Sequence, residues 1–440
     1  MIYDKVIETL DRKEMEALQL SRLQMTVERV YDHVPFYQEK LNNLNMKPEN
    51  IQSLQDIRKL PFTVKQDLRD HDPYGLFASP MKDIIRLHAS SGTSGKPTVV
   101  GYTKKDIDNW AETIARSITA AGGIPGDVMH NAYGYGLFTG GLGLHHGGEM
   151  LGITTVPVSG GNTMRQVMLI EDFKPKVICA TPSYALHIAE VMEAHGKDPR
   201  ASSLQYGIFG SEPWSEEMRN TLEEKLGIKA VDIYGLSEVI GPGVAIECHE
   251  AQNGLHIQED HFYTEVIDPD TLETLPDGEE GELVFTSLTK EAFPIIRYRT
   301  GDIAAMNREK CKCGRTTTRM SRIKGRIGDM IIVRGVNVFP LEMERSLLQI
   351  EDLAPYYQVY LDKNGTMDTV ELRVELSEAV FNACEQNIEH VDVKRLSQLI
   401  QVKIKEDCLV SIEVNILPPK SIPRSEGKAV RVIDQRATKV

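Results

Sequence analysis

Cysteine is scarce in this sequence, six residues in 440, and that scarcity excludes a disulfide framework of the kind that staples small secreted domains. No apolar run approaches the ~18–20 residues that span a bilayer. The opening "MIYDKVIETLDRKEME" mixes acidic with basic side chains and has no apolar centre, so it does not read as a secretion signal. Basic residues are outnumbered, 50 Lys and Arg against 64 Asp and Glu for a net charge of −14, which argues against a surface that coats nucleic acid. No internal repeat or low-complexity stretch is present. These absences predict a soluble, cytoplasmic protein with no nucleic-acid or membrane partner, long enough for two or three domains.

What is present reads as an α/β protein. Leu20, Leu23, Val27, Val30 and Val34 step by three and four along one helical stripe that Pro35 ends. From about residue 150, strands alternate with helices: "GITTVPV", "TMRQVMLIEDF", "KVICA", "YALHIAEVMEAHG", "YGIFG", "SEEMRNTLEEKLG" and "KAVDIYG". That alternation predicts a mainly parallel sheet covered by helices, with ligands outside the carboxyl ends of its strands. The segments to watch are therefore 159–161, 181–183, 210–214 and 234–238, expected on one edge of the sheet. Residues 245–322 read as a β-rich subdomain, and a smaller α+β unit follows, with a hairpin signalled by Asn364-Gly365.

One loop stands out. In "SSGTSGKPT", Ser90 to Thr98, five hydroxyl residues and two glycines surround Lys96 and a proline follows it. It is not a Walker loop: Ser90 stands where the first glycine belongs, Pro97 replaces the metal-binding hydroxyl, and both flanks read as strands. Backbone N–H groups in such a turn can converge on an anion; a plain Gly/Ser hairpin is the equal alternative.

Taken in order, that loop with "YGLSE" (234–238), "YRTGD" (298–302), "KGRIGDMIIVRGVNVFP" (324–340) and "PRSEGKAVRV" (423–432) resembles the adenylate-forming superfamily of acyl-CoA synthetases and related ligases. The wording "YGYGLFTGG", "GSEPWSE", "CKCGRT" and "IPRSEGKAVRVID" is similar to the branch that activates phenylacetate. The resemblance runs from about residue 30 to the end of the chain. It implies an N-terminal domain, 1–327, holding ATP and the acid, and a mobile C-terminal domain, 328–440, that carries the catalytic lysine.

In such an enzyme a carboxylate attacks the α-phosphorus of ATP, giving an acyl-adenylate and pyrophosphate, and the thiol of coenzyme A then takes the acyl group. Two anions must meet, so cationic and hydrogen-bonding groups belong where charge gathers. The resemblance implies that Ser90, Ser91, Gly92, Thr93, Ser94, Gly95 and Lys96 cradle phosphates. It makes Glu238 the Mg²⁺ ligand, a hard-cation role suited to a carboxylate. Asp302 would take the ribose hydroxyls with Arg326 nearby, and Ser211, Glu212, Pro213 and Tyr234 would wall the adenine. Asp232, Gly235 and Ser237 complete the nucleotide site, Ser237 standing where most relatives have threonine. Lys428 would bridge the substrate carboxylate and the α-phosphate; read without the resemblance, it is an ordinary solvated lysine near a tail. Arg334 and Gly335 would face CoA, and Gly328 would be the hinge, in place of the usual aspartate, with Asp329 following it. Tyr135, Phe138 and Gly210 would shape an aryl pocket, although both aromatic residues fit a core as well.

Cysteine usage adds one more expectation. Cys311 and Cys313 form a tight pair, Cys248 precedes them, and His249, His256 and His261 are nearby. Three thiolates and an imidazole make a tetrahedral structural Zn²⁺ site. The wording "GLHI" favours His256, with His249 the rival; bland reduced thiols are the alternative. Cys179, Cys384 and Cys408 sit in apolar stretches and are expected in the core. The chain closes at "RATKV" without a carrier domain, which favours free CoA as acceptor over a carrier protein. The remaining alternative is a non-catalytic nucleotide binder organised by zinc, and a homodimer is compatible with any of these.

Overall fold

The computed structural model describes residues 1–90, 97–333, 336–364 and 367–436. The chain packs as two compact units, one of Met1–Ala180, Ser202–Ser211 and Ile228–Arg322, the other of Thr181–Ala201, Glu212–Gly227 and Ile323–Val440.

In the first unit, helix Arg12–His33 starts from a reciprocal capping box between Asp11 and Glu14. The expected stripe is its buried face, with Leu23, Val27 and Val30 inside and Gln19 among them, its amide donating to the Glu259 carbonyl at 2.8 Å. Pro35 both ends this helix and opens the next, Pro35–Asn43, where its missing N–H costs nothing.

The main sheet of this unit runs Met306–Asn307, Arg319–Met320, Leu255–Ile257, Gly241–Glu247, Lys229–Leu236, Tyr206–Gly210, Val177–Ala180, Val128–Asn131 and Thr154–Val156. The last five strands pair in parallel. Val177–Ala180, "VICA", is buried at every position, as a strand covered on both faces must be. Val128–Asn131, between it and Thr154–Val156, was not distinguished in the sequence, so the alternation begins one strand earlier than the pattern suggested. Because the parallel strands share a direction, their carboxyl ends deliver the segments at 159, 181, 210 and 234 to one edge.

A second sheet pairs Phe262–Ile267, Gly281–Ser287 and Tyr298–Ala304 antiparallel, the expected β-rich part. The flanks of the Gly/Ser loop are strands too: Arg86–Ala89 runs antiparallel to Val99–Tyr102, with Ala89 opposite Val99. Cys179, Cys384 and Cys408 are buried.

In the second unit, Leu353–Asn364 and Met367–Leu376 form a long hairpin with Asn364 opposite Met367; Gly365 itself lies outside the described residues. Strands Glu413–Leu417 and Val432–Asp434 extend it on either side in parallel. Helix Val391–Cys408 lays Val393, Leu396, Ile400, Ile404 and Cys408 against that sheet, in one core with Val359, Leu372 and Val374. The helices Pro182–Ala194 and Glu216–Leu226 belong to this unit as well.

Candidate active site

Most of the expected phosphate loop, Ser91, Gly92, Thr93, Ser94, Gly95 and Lys96, lies outside the described residues, as do Arg334 and Gly335. The base of the loop is described. Ser90 donates its amide to the Thr98 carbonyl at 3.0 Å, and Thr98 returns its amide to Ser90 Oγ at 3.0 Å. This closes the strand pair at its end.

In the first unit, strand Lys229–Leu236 carries Tyr234 to its carboxyl end. The Tyr234 hydroxyl donates to Asp302 Oδ2 at 2.7 Å, and its ring stacks on Phe285 with centroids 5.9 Å apart. Asp302 is buried, its own amide donating to Thr300 Oγ1 at 3.0 Å. A ring wall and a carboxylate are thus held together. Asp232 donates its amide to Glu247 Oε2 at 2.9 Å. Gly235 and Gly210 are dictated by space: a Cβ at Gly235 would come 1.9 Å from the Gly241 carbonyl oxygen, and one at Gly210 would come 2.3 Å from that of Ile233. Ser211 follows in the left-handed region at φ 71°.

Glu238 is buried in the turn closed by amide bonds from Val239 and Ile240 to the Leu236 carbonyl. Ser237 Oγ lies 3.3 Å from Thr139 Oγ1. The turn is tied from outside by Tyr102, whose hydroxyl donates to the Ile240 carbonyl at 2.8 Å. Tyr102 stacks on Trp110, and Lys290 Nζ sits 4.6 Å from its ring centroid.

Tyr135 is half-buried. Its hydroxyl accepts from Asn131 Nδ2 at 2.8 Å and lies 3.2 Å from His145 Nδ1, so the ring is fixed by its polar end. Phe138 is 54 % exposed.

In the second unit, Lys428 is exposed, yet the main chain on both sides of it is held. Thr181 Oγ1 donates to the Gly427 carbonyl at 2.7 Å, and the Ala429 amide donates to Glu212 Oε2 at 2.8 Å. The other carboxylate oxygen of Glu212 accepts from the Ser183 amide at 2.9 Å and from Ser183 Oγ at 2.6 Å. Pro213 and Arg326 are exposed. Gly328 lies in the short turn Ile327–Asp329 with open space where a Cβ would be.

Comparison with known proteins agrees with this geometry. The family model described as AMP-binding enzyme matches residues 5–289, and the one described as AMP-binding enzyme C-terminal domain matches residues 335–436. The chain belongs to the AMP-binding enzyme family. It is 52% identical over 444 residues to a phenylacetate-coenzyme A ligase of Thermus thermophilus, covering 99% of this chain and 100% of that one. It is 50% identical over 431 residues to one of Escherichia coli, covering 98% and 97%. A crystal structure of 2-hydroxyisobutyryl-CoA ligase in the postadenylation state superposes with a TM-score of 0.91 at 30% identity, covering 98% of this chain and 92% of that one.

This AMP-binding enzyme also gathers the four residues expected to bind metal. The donor atoms of Cys248, His256, Cys311 and Cys313 all lie within 4.8 Å of one another. Cys248 Sγ and Cys311 Sγ are 3.7 Å apart, and Cys313 Sγ is 3.5 Å from His256 Nε2. A zinc tetrahedron with Zn–S near 2.3 Å and Zn–N near 2.0–2.1 Å has S···S edges of about 3.8 Å and S···N edges of about 3.6 Å. The donor set therefore fits the ion in kind, and these two edges fit it in spacing. His256 Nδ1 is 3.0 Å from Thr317 Oγ1, which leaves Nε2 for the thiols. His249 is engaged elsewhere, with Nδ1 3.0 Å from the Ala120 carbonyl oxygen.

Lys290 is the residue that sequence reasoning missed, because "SLTKEAF" carries no motif. It is 4% exposed, and its ammonium has no hydrogen-bond partner among the described residues. Burial pushes its pKa down from 10.5 to about 8, with the Asp106 and Glu238 carboxylates opposing. Below that value both folded and unfolded chains hold the proton, and the folded state bears the full cost of the buried charge. Between about pH 8 and 10.5 only the unfolded chain stays protonated, so stability rises with pH there. Denaturant unfolding should show this rise, on the order of 3 kcal/mol if Lys290 were the only group titrating, and Lys290→Met should remove it. An identical pH dependence in both proteins would overturn the assignment.

Proposed function

We infer that the protein joins phenylacetate to coenzyme A at the expense of ATP, through a phenylacetyl-adenylate, releasing AMP and pyrophosphate. The observation that carries this reading is the end-to-end correspondence, at about half identity, with ligases named for that reaction. Asp302, paired with Tyr234, takes the ribose, and the ring of Tyr234 with Ser211 and Pro213 borders the base; Asp232, Gly235 and Ser237 shape the same site. Glu238 holds Mg²⁺ against the phosphates, which residues 90–96 cradle. Lys428 neutralises the carboxylate and α-phosphate as they join. Arg326 assists at the ribose, Arg334 and Gly335 meet CoA, and Tyr135, Phe138 and Gly210 border the aryl group. We assign residues 1–327 and 328–440 as the two functional domains, with Gly328 as hinge. Cys248, His256, Cys311 and Cys313 hold a structural Zn²⁺, and their reduced thiols suit a cytoplasmic location. Among the described residues no helix is long and apolar enough to cross a membrane.

The test is pyrophosphate exchange and CoA-dependent turnover with a panel of carboxylic acids. Phenylacetate should give the highest kcat/KM, ahead of other aryl acids and well ahead of straight-chain acids. A medium-chain fatty acid that outperforms every aryl acid would reject the substrate assignment.

A further inference from the structure

The peptide around Lys428 is short and polar, with Glu426 and Lys428 exposed and its other residues half-buried. "RSEGKA" carries a glycine directly before the lysine, and its first residue, Arg424, is held by Glu375 and the Ile422 carbonyl. Ser425 supplies only a small internal turn, its hydroxyl donating to the Lys428 carbonyl at 2.9 Å and accepting from the Gly427 amide at 3.2 Å. A lysine on such a segment samples many positions, whereas a group that stabilises developing charge must wait at one.

The restraint comes from residues far away in sequence. Thr181 caps helix Pro182–Ala194, accepting the Tyr184 amide at 3.3 Å, and uses its hydroxyl proton on the Gly427 carbonyl. Glu212 lies at the same helix end. One of its oxygens takes the Ser183 amide, one of the N–H groups a helix leaves without an internal partner, and the Ser183 hydroxyl. A carboxylate is also favoured there by the helix dipole. With that oxygen fully engaged, the other is fixed in direction and accepts the amide of Ala429, the residue directly after the lysine. Hydrogen bonds to an ionised acceptor are the stronger kind.

We propose that Glu212 is a positioning residue for Lys428: its carboxylate, set by Ser183, and the Thr181 hydroxyl grip the main chain on the two sides of the lysine and hold it for adenylate formation. This rests on the reading of Lys428 as the adenylating lysine. It gives Glu212 a role distinct from contact with the nucleotide base.

The variants are Glu212→Gln, which keeps shape and loses the charge, and Thr181→Val. Each half-reaction is measured separately, with ATP affinity by calorimetry. Glu212→Gln should lower the rate of adenylate formation about tenfold, the kinetic equivalent of one weakened charge-assisted hydrogen bond. Its affinity for ATP and its thioester formation from supplied phenylacetyl-adenylate should stay near wild type. Thr181→Val should act in the same direction, and serves alone if Glu212→Gln fails to fold. Added to Lys428→Ala, Glu212→Gln should bring no further loss, because a grip on an absent side chain has nothing left to position. Amide hydrogen exchange at Ala429 should accelerate in Glu212→Gln. That readout does not depend on what Lys428 does, so faster exchange beside an inert Lys428→Ala would reject the role of the lysine and keep the grip. Unchanged exchange, weaker ATP binding at constant rate, or equal loss in both half-reactions would overturn the proposal.

Discussion

Lys428→Ala should slow adenylate formation by roughly 10²–10³-fold, about 3–4 kcal/mol, the usual loss when a group facing developing charge is removed. Thioester formation from a supplied acyl-adenylate should stay close to the wild-type rate. The asymmetry follows from the chemistry. A cation is needed while carboxylate and phosphate oxygens crowd together; once the anhydride exists, the thiol attacks a carbonyl and needs other groups. A hinge at Gly328 would exchange the two sets. In the conformation described, Gly328 has an ordinary backbone and open space around it, so nothing in this state demands glycine, and its freedom is useful only if the chain turns there. Gly328→Pro, with φ fixed, should therefore spare adenylation and depress CoA transfer. Equal loss in both half-reactions for Lys428→Ala would contradict the alternation of two sets.

Purified protein should contain one zinc per chain, and removing it should damage folding far more than chemistry. A closed four-ligand site has no open position for substrate, and the binding energy of such an ion is folding energy. The damage should spread along named contacts. Residues 315–318 follow the cysteine pair directly; the Thr316 amide donates to the Glu8 carbonyl at 3.1 Å, and the Thr318 amide to Glu259 Oε2 at 2.8 Å. Arg315 forms a buried ion pair with Glu8. Without the ion this segment should lose its anchor, and the N-terminal residues theirs with it. Cys313→Ser should lower Tm by many degrees and leave the kcat of the remaining folded protein nearly unchanged. Metal analysis that finds no stoichiometric zinc would end this reading.

The fold was legible where one physical signal dominated. "VICA" reads as a strand covered on both faces because every residue is apolar, and the Asn364-Gly365 pair marks a hairpin whose strands do pair there. Val128–Asn131 escaped because its inward positions include polar groups; His130 is buried with Nε2 2.6 Å from Gln166 Oε1, a partner 36 residues away. The gathering of Cys248, His256, Cys311 and Cys313 was legible despite the distance of Cys248, since thiols are so few that their chemistry narrows the choice. Lys290 and the grip of Glu212 were not. Burial of a lysine has no sequence signature, and Glu212 meets Ser183 and Ala429 across 29 and 217 residues.

The ties of residues 424–429 to Thr181, Glu190 and Glu212 are polar, the Arg424 guanidinium pairing with Glu190 at 3.1 Å. Water can replace each partner as it leaves, so undoing one such bond has a net cost of only about 0.5–1.5 kcal/mol, somewhat more at a charge. An apolar seam would behave differently: if the chain turned at Gly328 in each cycle, every opening would bare a greasy surface and invite sticking to neighbours. A seam of hydrogen bonds carries no such hazard. Were Ala429 to move away with a chain turning at Gly328, Glu212 would keep its two bonds from Ser183, and its second oxygen would stay aimed for the same amide.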